Sequence, residues 1–301
     1  MEFDPTKKLT RENFAELPPL CTDGAWGTEL QKHSLPAGSP PELWNIENPD
    51  AVLAVARSYV EAGSEVILTN TFGANRFVLA SHGLGGRTTE LAEKGAAISR
   101  KAAGEEIKVF ASMGPSGKII MMGDASQAEL SDAFAEAAAA LERGGVDAIV
   151  LETFNELEEM KVALAAVVEA VAVPVVTSMT FASGPEGVAT MMGDSPAALA
   201  AAAEAGGAAA VGANCGTGPA NYVRVVGLLQ EATDLPIWAK ANAGLPQHAN
   251  GQTHFPMSAE EYATFVPELV EAGADFIGGC CGTSPEFVRA IRAAVDALPR
   301  R

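Results

Sequence analysis

The feature that most constrains this chain is a recurring joint, in which an alanine-rich stretch ends at glycine and a β-branched stretch begins. EAGSEVILTN (61–70), RGGVDAIVLE (143–152), EAGGAAAVGAN (204–214) and EAGADFIGGC (271–280) all carry it. Glycine ends a helix well because it enters the left-handed region without a Cβ penalty. A strand launched the same way each time implies parallel strands joined by crossover helices. Eight strands can be placed: LCTDG (20–24), EVILTN (65–70), KVFASM (108–113), DAIVLE (147–152), PVVTSM (174–179), AAVGAN (209–214), PIWAKAN (236–242) and DFIGGC (275–280). Helices are expected near 50–62, 89–103, 126–143, 156–171, 196–205, 219–232, 258–272 and 284–298. Ser126 (or Asp124), Ser258 with Glu261 three residues on, and Ser284 before Pro285 read as their caps.

Eight such units in a chain of 301 residues predict an α/β fold, a single-domain (β/α)8 TIM barrel over 18–301 preceded by an N-terminal extension, 1–17. A doubly wound open sheet is the rival, but it gives no reason for the first and eighth strands to share a site. Neither a GxGxxG element nor a Walker loop is present.

Composition narrows the partners. A formal charge of −18 disfavours nucleic acid, whose phosphates need clustered Lys and Arg. No apolar run approaches the roughly 18 residues of a membrane span, and MEFDPTKKLTRENF has no signal-peptide core. With only four cysteines and no secretory signal, a reducing, cytoplasmic setting is expected.

In a barrel the reactive groups gather at the C-terminal ends of the strands. Asp23, Asn70, Glu152, Cys215, Asn242, Cys280 and Cys281 all fall there. Catalytic zinc takes three protein ligands and keeps a fourth position open, so Cys215 in GANCG with Cys280 and Cys281 in GGCCGT fits such a site. Neighbours on a strand point to opposite faces, so Cys280 and Cys281 can share a metal only where the chain leaves strand geometry. Glycines 278, 279 and 282 permit that. The bland alternative is three small buried hydrophobes. Cys21, inside PPLCTDG, reads as core.

Long glycine-rich loops at 114–125, 181–196 and 243–257 share the active face. Two of them contain MMGD, a coincidence or an adaptable apolar surface for a bulky partner. His248 and His254 read as polar loop residues, with ligation as the minor alternative.

DGAWGTELQ (23–31), ILTNTFGANR (67–76), GVDAIVLETF (145–154), GANCG (212–216), NAGLP (242–246) and GGCCGTSPEF (278–287) resemble, in order, the motifs of the zinc-dependent homocysteine S-methyltransferases. The resemblance runs from about 18 to 295; TNTFGA and NAGLP are most similar to the homocysteine-binding barrel of cobalamin-dependent methionine synthase. It implies an enzyme that converts homocysteine to methionine. Cys215, Cys280 and Cys281 are then the zinc ligands, and Asn242 a displaceable fourth. Asp23 and Glu152 become the acids of the homocysteine pocket, with Glu152 on the ammonium, and the N–H groups around Gly24, Ala25 and Trp26 receive the carboxylate. A free thiol has a pKa of about 8.5, whereas zinc makes thiolate the bound form. Three cysteinates leave the site at −1 and the substrate thiolate takes it to −2, so the attacking sulfur stays electron-rich.

The resemblance also implies methylcobalamin as donor, carried on a separate corrinoid protein, because the chain leaves no room for pterin or cobalamin domains. Betaine and S-methylmethionine (or S-adenosylmethionine) are the alternatives. Betaine would want an aromatic cage, for which Trp26, Trp44, Phe72 and Phe154 are available. A non-enzymatic zinc or corrinoid-binding module and a Schiff-base barrel using Lys240 stay open, as does the oligomeric state.

Overall fold

The computed structural model describes residues 7–17, 19–249 and 252–298. Eight parallel strands form one sheet: β1 (Leu20–Cys21), β2 (Val66–Ile67), β3 (Lys108–Met113), β4 (Ala148–Phe154), β5 (Val175–Met179), β6 (Ala210–Cys215), β7 (Ile237–Ala241) and β10 (Ala274–Gly279). Their spatial order is β1-β10-β7-β6-β5-β4-β3-β2, and a parallel bridge between Thr22 and Val66 brings the two end strands together. The result is the expected (β/α)8 barrel. The four repeated joints behave as their glycines require: Gly63, Gly145, Gly207 and Gly273 all have positive φ.

The strands alternate cleanly. Val109, Ile149, Val175, Val211, Ile237 and Ile277 pack outward with the helices, while Val66, Phe110, Val150, Val176, Trp238 and Phe276 fill the interior. Gly212 belongs to the inward set of β6, and a Cβ there would lie 2.0 Å from the Trp238 carbonyl oxygen. Trp238 therefore fills the barrel because its neighbour has no side chain. Above this apolar layer the inward positions turn polar, with Ser112, Glu152, Ser178, Asn214 and Lys240 all buried.

Two expectations change, and the described part of the 1–17 extension forms the floor of the barrel. A capping box between Thr10 and Asn13 starts the short helix Arg11–Phe14, and fully buried Phe14 meets Phe110 and Phe276 with centroids 5.7 and 5.3 Å away. Burying such a ring contributes about 1.5–3 kcal/mol. The helix expected over 258–272 is two, Ala259–Ala263 and Val266–Ala272. Pro267 cannot donate to a carbonyl one turn back and its ring crowds it, so the helix restarts there. The 243–257 loop contains an antiparallel ribbon, β8 (Gln247–Ala249) with β9 (Gln252–His254). His248 lies in it with a side chain outside the described residues, and His254 is exposed. Ser126 and Ser258 form full capping boxes with Glu129 and Glu261. Ser284 takes the cap position but makes no side-chain cap bond.

Candidate metal centre

Cys215 ends β6, and Cys280 and Cys281 follow β10. By alternation Cys215 would face the helices, yet its φ is +65° and the chain turns there. Gly282, at φ +82°, lets the other loop fold back; a Cβ on it would also strike the Phe255 ring at 2.3 Å. The Cys215 and Cys280 sulfurs are 3.0 Å apart, and all three sulfurs lie within 4.8 Å of one another. Leaving the strand at Gly279 is what allows adjacent Cys280 and Cys281 to converge. Cys21 stays buried in the core beneath the helices.

The donor set suits a dication. Hydrogen bonds from Cys215 and then Cys280 hold the Cys281 thiol down at about 4. Cys215 is pushed well up, first by its hydrogen bond to Cys280 and then by Cys281 and burial. The trio thus accepts one negative charge readily and resists the next, and a bound dication reverses that resistance. Asn242 clamps the two cysteine loops: its Oδ1 accepts from Cys281 N–H at 2.9 Å and its Nδ2 donates to Gly216 O at 2.8 Å.

Beside the sulfurs stand the two acids. Buried Glu152 accepts a short hydrogen bond from Ser112 Oγ on one oxygen, and its other oxygen makes no hydrogen bond among the described residues. Burial pushes its carboxyl up to about 7, with Lys240 opposing. Asp23 differs. It is ion-paired with Lys240 through one oxygen, while the other accepts from Trp26 Nε1 at 2.8 Å and Leu68 N–H at 2.7 Å. Both of its oxygens thus accept from donors within the protein. Among the three backbone donors expected for the carboxylate, Ala25 N–H bonds Thr283 O at 3.1 Å. Lys240 is buried and paired with Asp23 rather than free at the strand end.

Thr153 was not anticipated. It carries φ +66°, a conformation costly for a β-branched residue, by about 1–3 kcal/mol. The register of β4 against β5 shifts between Leu151 and Phe154. That shift leaves Glu152 inside and packs Phe154 against Phe134, centroids 5.9 Å apart. Of the four aromatics available for a betaine cage, Phe154 packs with the helix layer, Trp26 pairs with Tyr59, and Phe72 is 43% exposed at the rim.

Comparison with known proteins agrees with this geometry. The homocysteine S-methyltransferase family model matches residues 20–295; this chain belongs to that family. It is 33% identical over 300 residues to the methionine synthase of Mycobacterium tuberculosis (strain ATCC 25618 / H37Rv), a match covering 93% of this chain and 25% of that protein. The methionine synthase of Mycobacterium leprae (strain TN) is 32% identical, with 92% and 24% covered. The chain thus spans about a quarter of the length of these relatives. Among solved structures, the metallated form of the homocysteine methyltransferase MmuM from Escherichia coli superposes with a TM-score of 0.77 at 22% identity, over 96% of this chain and 99% of that one. Its apo form gives 0.73 at 23% identity, over 97% and 100%. At such identity these matches speak to the fold. No helix among the described residues is long and apolar enough to cross a membrane.

Proposed function

We propose that this barrel binds zinc through Cys215, Cys280 and Cys281 and methylates homocysteine to methionine, with methylcobalamin on a separate corrinoid protein as donor. The observation that carries the reading is the convergence of three sulfurs beside a buried carboxylate with an uncommitted oxygen. Zinc would supply Lewis acidity, holding the substrate sulfur as thiolate at neutral pH. The residues do the rest. Glu152 receives the substrate ammonium. Asp23, held by Lys240, fixes the turn at Gly24, Ala25 and Trp26, where Gly24 and Trp26 are the N–H groups left to meet the carboxylate. Asn242, which spans the two cysteine loops, would be the displaceable fourth ligand. Holding both ends of the amino acid aims its sulfur, and orientation of this kind lowers a barrier by several kcal/mol. The free thiols of the site suit a cytoplasmic, reducing setting.

The rim supports a large donor. Among the described residues, six of the seven exposed large hydrophobics, Phe72, Ile119, Met122, Met191, Met192 and Leu245, lie on loops after β2, β3, β5 and β7. Flexible, polarizable methionines at a pocket mouth suit a broad partner face. A betaine site would instead enclose its quaternary ammonium in rings. The test is a donor panel with zinc-loaded protein and homocysteine, scored for methionine. Methylcobalamin, free or protein-bound, should outpace betaine and S-methylmethionine at matched concentration. Turnover with either small donor and none with methylcobalamin would overturn the donor assignment and leave the thiol chemistry standing.

A further inference from the structure

We propose that Asn214 is a positioning residue of the metal centre, donating hydrogen bonds to the sulfurs of Cys215 and Cys280 and so lowering the reactivity of two of the protein's own thiolates. The inference rests on the reading of the three cysteines as a zinc site.

Asn214 is fully buried on the inward face of β6. A carboxamide can be placed two ways round, but here its neighbours decide. Thr153 N–H lies 2.8 Å from one end, and a backbone N–H can only donate, so that end is the oxygen. Ser178 Oγ donates to the same oxygen at 2.7 Å. The amide nitrogen is thereby turned to the sulfurs. It has two hydrogens: one meets Thr153 Oγ1 at 2.6 Å, and the other faces Cys215 Sγ at 3.8 Å and Cys280 Sγ at 3.9 Å. Having accepted from Asn214, Thr153 Oγ1 keeps its own proton to offer Cys215 Sγ at 3.9 Å. Asn214 makes no such contact with Cys281.

Two observations say that this arrangement is built. The Thr153–Asn214 hydrogen bond joins the ends of β4 and β6 at Thr153 and at the residue before Cys215; Thr153 and Cys215 are the two non-glycine residues of the site with positive φ. It also explains why a threonine tolerates that conformation: its N–H has nowhere else to go inside the barrel. The chemical need is selectivity. An electrophilic methyl group brought to a centre with four thiolates must leave on the substrate's. Hydrogen bonds to a thiolate withdraw electron density, and Asn214 directs them to Cys215 and Cys280.

The test is Asn214→Asp, which keeps an oxygen for Thr153 and Ser178 but sets a second oxygen, unable to donate, against the sulfurs. Zinc affinity, measured by competition with a chromophoric chelator, should fall about 10- to 100-fold, the usual cost of losing such a supporting contact. In cobalt-substituted protein the sulfur-to-metal charge-transfer band should move to lower energy, a change that mere loosening would not produce. Ser178→Ala removes one orienting donor without touching a sulfur; it should shift both readouts the same way by less, and it serves if N214D fails to fold. Affinity and band position indistinguishable from wild type in the folded variant would overturn the proposal. Wild-type protein that binds no zinc would sink the parent reading instead.

Discussion

Replacing Glu152 by Gln isolates the charge proposed to hold the substrate ammonium. Gln preserves the shape and the contact with Ser112, and it removes the cost of ionising a carboxyl buried inside the barrel. The variant should therefore fold, with no loss of stability at pH 8. What disappears is a charge-assisted hydrogen bond worth about 1.5–3 kcal/mol, or one to two orders of magnitude in homocysteine affinity, read by calorimetry on zinc-loaded protein. A pH series sharpens the test. Burial raises the carboxyl to about 7 from about 4.3 in an unfolded chain, so the acid is protonated in the substrate-free protein below that point. The ionised form binds the ammonium. Wild-type affinity should thus hold above pH 7 and weaken by roughly tenfold per unit as pH falls below it, until the substrate's own groups intervene. In E152Q that dependence should vanish. Stability runs the opposite way: the raised carboxyl favours the folded state at low pH, and that contribution is lost as pH rises through 7. Affinity within twofold of wild type, metal loss in E152Q, or an identical pH profile in both proteins would refute the assignment.

Two further outcomes follow from the site. Cys215→Ser should take bound zinc from about one per chain to none after dialysis against a weak chelator, by elemental analysis; retained stoichiometric zinc would remove Cys215 from the ligand set. Lys240→Met should strand Asp23 as a buried unpaired carboxylate, costing about 3–5 kcal/mol in urea unfolding. A K240M protein as stable as wild type would mean that Asp23 is supported by Trp26 and Leu68 alone.

The barrel was legible because its signals are local: a glycine closing each helix and two-residue alternation along each strand. Pro267 was equally local and could have announced the broken helix. The cysteine convergence could be read because adjacent residues cannot share a ligand from inside a strand. What escaped was non-local. Asp23 and Lys240 are 217 residues apart, and only closure of the barrel reveals that each occupies the other. Positive φ at Thr153 and Cys215 has no residue-type signal, since glycine and asparagine are where such a turn is sought. Asn214 did carry one: with Val211 and Ala213 facing outward, alternation turns a polar residue inward beside Cys215.

The aromatic floor built by Phe14, Phe110, Trp238 and Phe276 gives the barrel one door. Reactant, donor and product then share a single passage, and chemistry there becomes a matter of queueing. On the function proposed above, homocysteine would enter before any donor broad enough to cover the rim, and methionine would leave only after that donor had moved off. On that reading, a closed base would impose a compulsory order of arrival and departure, which no residue near the sulfurs would reveal.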